Sequence, residues 1–239
     1  MTTFAKESEF EAAVIHALRQ RGWGDAEVIR NPTEADLLAN WQQILFENNR
    51  GKDRLNEVPL TDSEMQQVME QITALRTPLR LNGFINGKTV AITRDNPADT
   101  LHFGKEVSLK IYDRLEIAAG QSRYQIAQQP RYVRGSPLLN DRRGDLLLLI
   151  NGMPVIHIEL KKSGVPVGQA YKQSETYSRE GIFGGLVSLV QIFVAMEPAG
   201  AVYFANPGPD GKFNKDYAFH WADFNNEPIN DWKRFTQEL

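Results

Sequence analysis

Asp145, Glu159 and Lys161 flank the apolar stretch RGDLLLLINGMPVIHIELKK, which runs from Arg143 to Lys162. Its interior reads as a buried β-hairpin, with Asn151-Gly152 as turn chemistry. Ionised groups at the end of a buried strand are costly unless something neutralises or uses them. Residues two apart on a strand share a face, so His157, Glu159 and Lys161 point the same way. A three-residue turn over 151–153 sets Asp145 opposite Glu159. A two- or four-residue turn moves the partner by one position, which a bulge would correct. In every version two carboxylates converge at one end of a sheet, where directly opposed Cβ atoms stand about 4.5–5.5 Å apart. Carboxylates that close repel and shift each other's pKa unless a cation sits between them. Such hard oxygen ligands suit Mg²⁺, which binds through one or two carboxylates and keeps waters for a phosphate. A lysine beside the ion can hold a water or stabilise a phosphate under attack. This is equipment for metal-assisted phosphodiester hydrolysis. The competing reading is a strand that ends in ordinary charge at the water boundary.

Other residues extend the set. Gln173 and Tyr177 are four apart and share a helix face, while Glu175 points away from it. Lys162 and Lys172, with Arg131, Arg134, Arg142 and Arg143, cluster in sequence around the hairpin. They form either a phosphate-contacting patch or ordinary solvated charge. His16, as a lone helical histidine, is expected at a core or boundary position. His157 shares the face of Glu159, but Mg²⁺ prefers oxygen and no second nitrogen ligand stands at zinc spacing. Neither histidine is taken as a ligand.

Bulk properties narrow the class. The 239 residues are 41% hydrophobic, enough for one large domain or one with an appendage. The formal charge of −3 excludes a polybasic nucleic-acid binder, so any DNA contact must come from a local patch. The absence of cysteine excludes disulfides, thiolate zinc sites and a cysteine nucleophile, and fits a reducing cytosol. The first residues lack a cationic start and apolar run, so no signal peptide is expected. No stretch reaches the roughly 18 apolar residues of a membrane span. A cytoplasmic protein is expected.

The positioning elements follow from periodicity. Phe10, Val14 and Leu18 mark a helix stopped by Gly22 and Gly24. A second helix carries Leu37, Leu38, Trp41, Ile44 and Leu45 behind a Thr33 cap. A third carries Met65, Val68, Met69, Ile72 and Leu75 behind Thr61 or Asp62. The character changes near Leu79. LRLNGFINGKTVAITRD, with two Asn-Gly pairs, suggests short strands or a hairpin. VSLKIYD, YQIAQQPRYV, LLLLI, PVIHIEL, QIFVAM and AVYFAN follow as strand candidates, and a helix of about 3–4 turns begins near Pro166. The order predicts an α/β or α+β fold, with a mixed sheet flanked by helices behind a helical N-terminal layer. Residues 1–78 are mainly helical, 79–206 form the core, and 207–239 are a C-terminal extension without an assigned role.

Asp145, a hairpin and then Glu159-x-Lys161 at the end of an apolar strand resemble the PD-(D/E)xK nuclease fold. Gln173 and Tyr177 add a QxxxY pattern on the next helix. Together with INGMPVIHIELKK, this resembles the N-terminal nuclease domain of the R (restriction) subunit of type I restriction-modification enzymes, and the related RecB-like nucleases. The likeness runs to about Asn206 and is strongest from Gln128 to Tyr177. It implies that Asp145 and Glu159 bind the metal, that the Leu160 carbonyl adds a ligand, and that Lys161 positions or activates the water. It further implies that Gln173 and Tyr177 support the site and DNA binding. An additional acid comes from the first helix, where Glu11 is the candidate and Glu9 its competitor. Gly144 stands where the motif's name has Pro. No GxxxxGK[ST] loop of a translocase motor is present. ATP would therefore enter only through motor regions of a larger R subunit. Double-stranded DNA and the modification and specificity subunits are the implied partners. A RecB-like repair nuclease and a non-catalytic DNA-binding or docking module are the alternatives.

Overall fold

The computed structural model describes residues 3–24, 28–75, 89–112, 122–132, 142–208 and 212–239. Three N-terminal helices form, two of them behind threonine caps. Helix α1 (Glu7–Arg19) buries Phe10, Val14 and Leu18. Gly22 and Gly24 follow it with φ of 95° and 68°, in the left-handed region where glycine carries no Cβ penalty. His16 is exposed on α1 and bonded to Gln20, not at the core boundary expected of it. It falls on the solvent face because the Phe10–Val14–Leu18 stripe lies on the other side. Helix α2 (Glu34–Asn49) is capped by Thr33, whose Oγ1 accepts from the Asp36 amide at 3.2 Å. Helix α3 (Asp62–Thr73) starts from Thr61, which settles the choice between Thr61 and Asp62. In both capping boxes the third residue's carboxylate reaches back to the cap amide.

The main sheet has seven strands among the described residues, in the order β1-β4-β7-β8-β9-β10-β11. These are β1 (Ile29–Arg30), β4 (Tyr124–Gln128), β7 (Leu146–Ile150), β8 (Met153–Leu160), β9 (Ile192–Glu197), β10 (Gly200–Ala205) and β11 (Phe219–His220). It is mixed: β1 with β4 and β8 with β9 are parallel, and the other pairs are antiparallel. Two small ladders stand beside it, β2 (Thr89–Thr93) with β3 (Glu106–Lys110) and β5 (Arg131–Tyr132) with β6 (Arg142–Arg143). The parallel β8–β9 step needs a crossover, and helix α4 (Val167–Arg179) supplies it, packing on β8, β9 and β10. The architecture is mixed α/β, with helices against a large mixed sheet. The segment with two Asn-Gly pairs, residues 82–87, and Arg134 lie outside the described residues. Helix α5 (Trp232–Thr236) returns to α1, where Trp232 meets Phe10 edge-on at 5.5 Å.

Central strands β7 and β8 are nearly all buried, as their unbroken apolar runs require. Their turn has two residues, since Ile150 pairs with Met153. Asn151 and Gly152 both take positive φ, 51° and 84°. A two-residue turn alone would misalign the acids by one position. The register shifts between Leu148 and Leu149, leaving Val155 as the extra residue, and beyond it Leu146 faces Ile158. One further step along that register brings Asp145 opposite Glu159.

Candidate active site

The bulge delivers both acids to the same end of the sheet. Asp145 Oδ2 accepts from the Leu160 amide at 2.7 Å, and its carbonyl accepts from the Gln129 amide at 2.7 Å. Glu159 is fully buried. Its Oε1 accepts from Gln173 Nε2, while Oε2 has no hydrogen-bond partner. The electrostatics are those of two acids forced together. Burial, then the Asp145 charge, pushes the Glu159 carboxyl well above its ordinary value. Burial also lifts the Asp145 carboxyl from 3.8 to about 6, against the pull of the Leu160 N–H and Lys161.

Helix α4 ties the two strands together through its i, i+4 pair. Gln173 Nε2 donates to Glu159 and also to Tyr177 Oη, at 2.7 Å in the latter case. Tyr177 Oη in turn donates to the Arg143 carbonyl at 3.0 Å, two residues before Asp145. The QxxxY pair is thus a brace between the Glu159 strand and the chain entering Asp145. Burial, then the Glu159 charge, raises the Tyr177 phenol to about 12, so it stays a donor.

Helix α1 contributes two acids from one face. Glu11 is 4% exposed and turned into the side-chain amides of Gln128 and Gln129, the latter at 3.3 and 3.2 Å. Its competitor Glu9 faces the helix start, accepting from the Lys6 amide. Glu7 reaches the site as well, with Oε1 at 3.6 Å from Lys161 Nζ. Sequence reasoning missed Glu7, although its i, i+4 spacing to Glu11 was the available signal. It missed the glutamine pair too. Gln129 holds a left-handed φ of 52°, rare outside glycine and asparagine, and links Glu11 to the backbone of Asp145.

The basic residues divide. Arg131 and Arg143 face each other directly across β5–β6, with Arg131 Nε donating to the Asn31 carbonyl at 3.0 Å and its charge acting on Asp36. Lys162 and Lys172 are exposed. Arg142 is held by Glu180 at 2.9 and 3.1 Å. It lines an open groove of about 490 Å³ with Gln169, Lys172, Gln173, Thr176 and Tyr177. This groove adjoins Glu159 through Gln173.

Among the described residues no group of three or more His, Asp or Glu side chains is placed to hold a metal. What stands here is a two-carboxylate arrangement, in which Glu11 is engaged by glutamines. An oxygen-only set with one buried, unpartnered carboxylate oxygen fits Mg²⁺, which needs only one or two carboxylates.

The family described as type I restriction enzyme R protein N terminus matches residues 5–212. Similar proteins include the type I restriction enzyme SsaAORF53P endonuclease subunit of Staphylococcus saprophyticus. It is 31% identical over 236 residues, covering 97% of this chain and 23% of that one. The SauCOLORF180P endonuclease subunit of Staphylococcus aureus is 27% identical over 238 residues, covering 99% and 23%. The EcoprrI endonuclease subunit of Escherichia coli is 28% identical over 237 residues, covering 98% and 69%. The chain thus spans 23% of the length of these two staphylococcal relatives.

Proposed function

The chain belongs to the type I restriction enzyme R protein N-terminal family, and from that premise we propose that it is a Mg²⁺-dependent nuclease domain with a PD-(D/E)xK core that cleaves double-stranded DNA. One observation carries the reading: the hairpin bulge sets Asp145 against Glu159, and the Asp145 charge adds to burial in raising the Glu159 carboxyl, beside Lys161. Asp145, Glu159 and the Leu160 carbonyl would hold the ion. Bound there, Mg²⁺ supplies Lewis acidity toward a phosphodiester oxygen. Lys161 Nζ orients the attacking water and faces the charge that builds on the phosphate. Glu7 holds the ammonium at the mouth of the site. Gln173 and Tyr177 fix the rotamer of Glu159, so little reorganisation is left for the reacting complex.

Duplex DNA would lie over the groove beside α4, which Lys172 lines, with Arg131, Arg143 and Lys162 reaching its phosphates from outside the groove. In an assembled type I enzyme, target choice would belong to the specificity and modification subunits. ATP would act only through motor regions outside residues 1–239, and the setting would be cytoplasmic. A supercoiled-plasmid assay with Mg²⁺ tests the site. The parent should nick metal-dependently and Lys161→Ala should not. Equal cleavage by both would remove Lys161 from the mechanism and with it the assigned site.

A further inference from the structure

Three side chains behind the acids carry buried polar atoms without partners: His157 at both ring nitrogens, Glu159 at Oε2 and Tyr132 at Oη. They belong to one place. His157 Nε2 lies 3.9 Å from Glu159 Oε2, with both side chains fully buried. A Cβ on Gly144 would stand 2.8 Å from His157 Nε2 and 2.9 Å from Tyr132 Oη. Both polar atoms therefore press on the backbone just before Asp145. An unpaired buried donor or acceptor costs roughly 1–3 kcal/mol. The ring's neighbours are Phe183 and Phe193, at 5.4 and 5.6 Å, and Tyr132 at 6.2 Å, so two of the three would suit an apolar side chain. A neutral imidazole carries one N–H donor, and either ring nitrogen can bear it.

We propose, on the premise of the two-carboxylate metal site above, that His157 is a positioning residue whose Nε2–H holds Glu159 Oε2, as Gln173 holds Oε1. The carboxylate is then braced at both oxygens, and each keeps a lone pair for a divalent cation. Closing 3.9 Å to hydrogen-bond length takes a movement of about 1 Å. Gly144 is part of the device, because any side chain at that position would push the imidazole away. Carboxylate ligands of metals are themselves hydrogen-bonded, and losing such a partner lowers metal affinity about 10–100-fold.

The test is a calorimetric Mn²⁺ titration of the 239-residue chain carrying His157→Leu, His157→Asn or His157→Gln, with melting temperatures taken in EDTA. The glutamine amide can occupy the Nε2 position, whereas asparagine reaches only the Nδ1 position. The expected result is a 10–100-fold loss for the Leu and Asn variants and recovery to within a few-fold for Gln. A folded Leu variant that binds Mn²⁺ like the parent overturns the proposal. So does a Gln variant no better than Asn, which decides the matter if Leu fails to fold. Asp145→Asn in the same titration isolates the premise. Its binding like the parent would sink the metal site itself, and its loss of binding beside an unaffected His157→Leu would sink His157 alone.

Discussion

Replacing one of the two acids proposed to bind the metal should make the metal-free protein more stable. Asp145→Asn keeps an oxygen for the Leu160 amide at 2.7 Å and removes the charge that repels Glu159. The folded carboxyl titrates near 6, against an ordinary 3.8. At about 1.4 kcal/mol per pH unit, that rise corresponds to about 3 kcal/mol of destabilisation once the acid is ionised. Asp145 keeps some solvent contact, which screens part of this, so the expected gain is roughly 1–3 kcal/mol. The sign is fixed by linkage. A folded-state pKa above the unfolded one gives stability that is complete below pH 3.8 and lost as pH rises through about 6. The parent should lose stability across that window and the Asn variant should lose less. Their difference should therefore grow with pH and level off above about 6.

Thermal melts in EDTA from pH 4.5 to 8 measure it. For a chain of this length the gain is roughly 2–12 °C in Tm at pH 8. Mg²⁺ at about 1,000-fold over Kd should reverse the order, because it adds about 4.1 kcal/mol to the parent alone. A variant less stable than the parent in EDTA at pH 8 would refute the reasoning. A difference that does not change with pH would do the same.

Other perturbations probe the frame. Arg94 is buried with its Nη1 2.5 Å from Glu64 and its Nε 3.0 Å from Asp99; Arg94→Met should cost about 3–5 kcal/mol in urea unfolding by stranding two buried acids, and a loss under 1 kcal/mol would contradict that account. Gly152→Ala would set a Cβ 2.8 Å from the Trp41 backbone at a φ of 84°, so a loss of at least about 2 kcal/mol is expected in the same assay. Tyr177→Phe removes the donor to the Arg143 carbonyl and should cost about 1 kcal/mol, and its nicking rate at saturating Mg²⁺ should fall because Gln173 loses its anchor. An unchanged rate would leave the brace a purely structural feature. Arg143→Ala should flatten the salt dependence of DNA binding by about one phosphate contact, whereas an unchanged slope would assign Arg143 to solvent.

Much of the frame was legible because the signals were local. Thr33 and Thr61 each stand three residues before an acid, and both form the capping boxes that this spacing specifies. The opposition of Asp145 and Glu159 was legible for a different reason. Strand parity leaves few registers, and a two-residue turn needs a bulge to reach this one. Strand β1 was not legible, since two residues carry no periodicity and its pairing with β4 is almost a hundred residues away in sequence. Nor was the return of α5 to α1, which depends on Phe4, Phe10 and Trp232 finding one another across the whole chain. The basic cluster was half legible. Sequence proximity brings Arg131 and Arg143 together, but nothing local shows that Arg142 is engaged by Glu180.

Several features that no local rule foresaw stand around Asp145 and Glu159. Gln129 takes a left-handed backbone, Gly144 leaves no room for a side chain, and His157 and Glu159 hold unpaired polar atoms in the interior. Each taken alone is a departure from what a stable core prefers. They share one consequence, which is to leave two carboxylates close together and incompletely satisfied at one end of β8, where burial disfavours their charged forms. A sheet selected only for stability would place apolar residues at both Glu159 and His157, as their β9 partners Ala195 and Phe193 are. On the proposed reading, the hairpin's acids are explained by what they leave unsatisfied, because a partly bare carboxylate pair is what a divalent cation would complete.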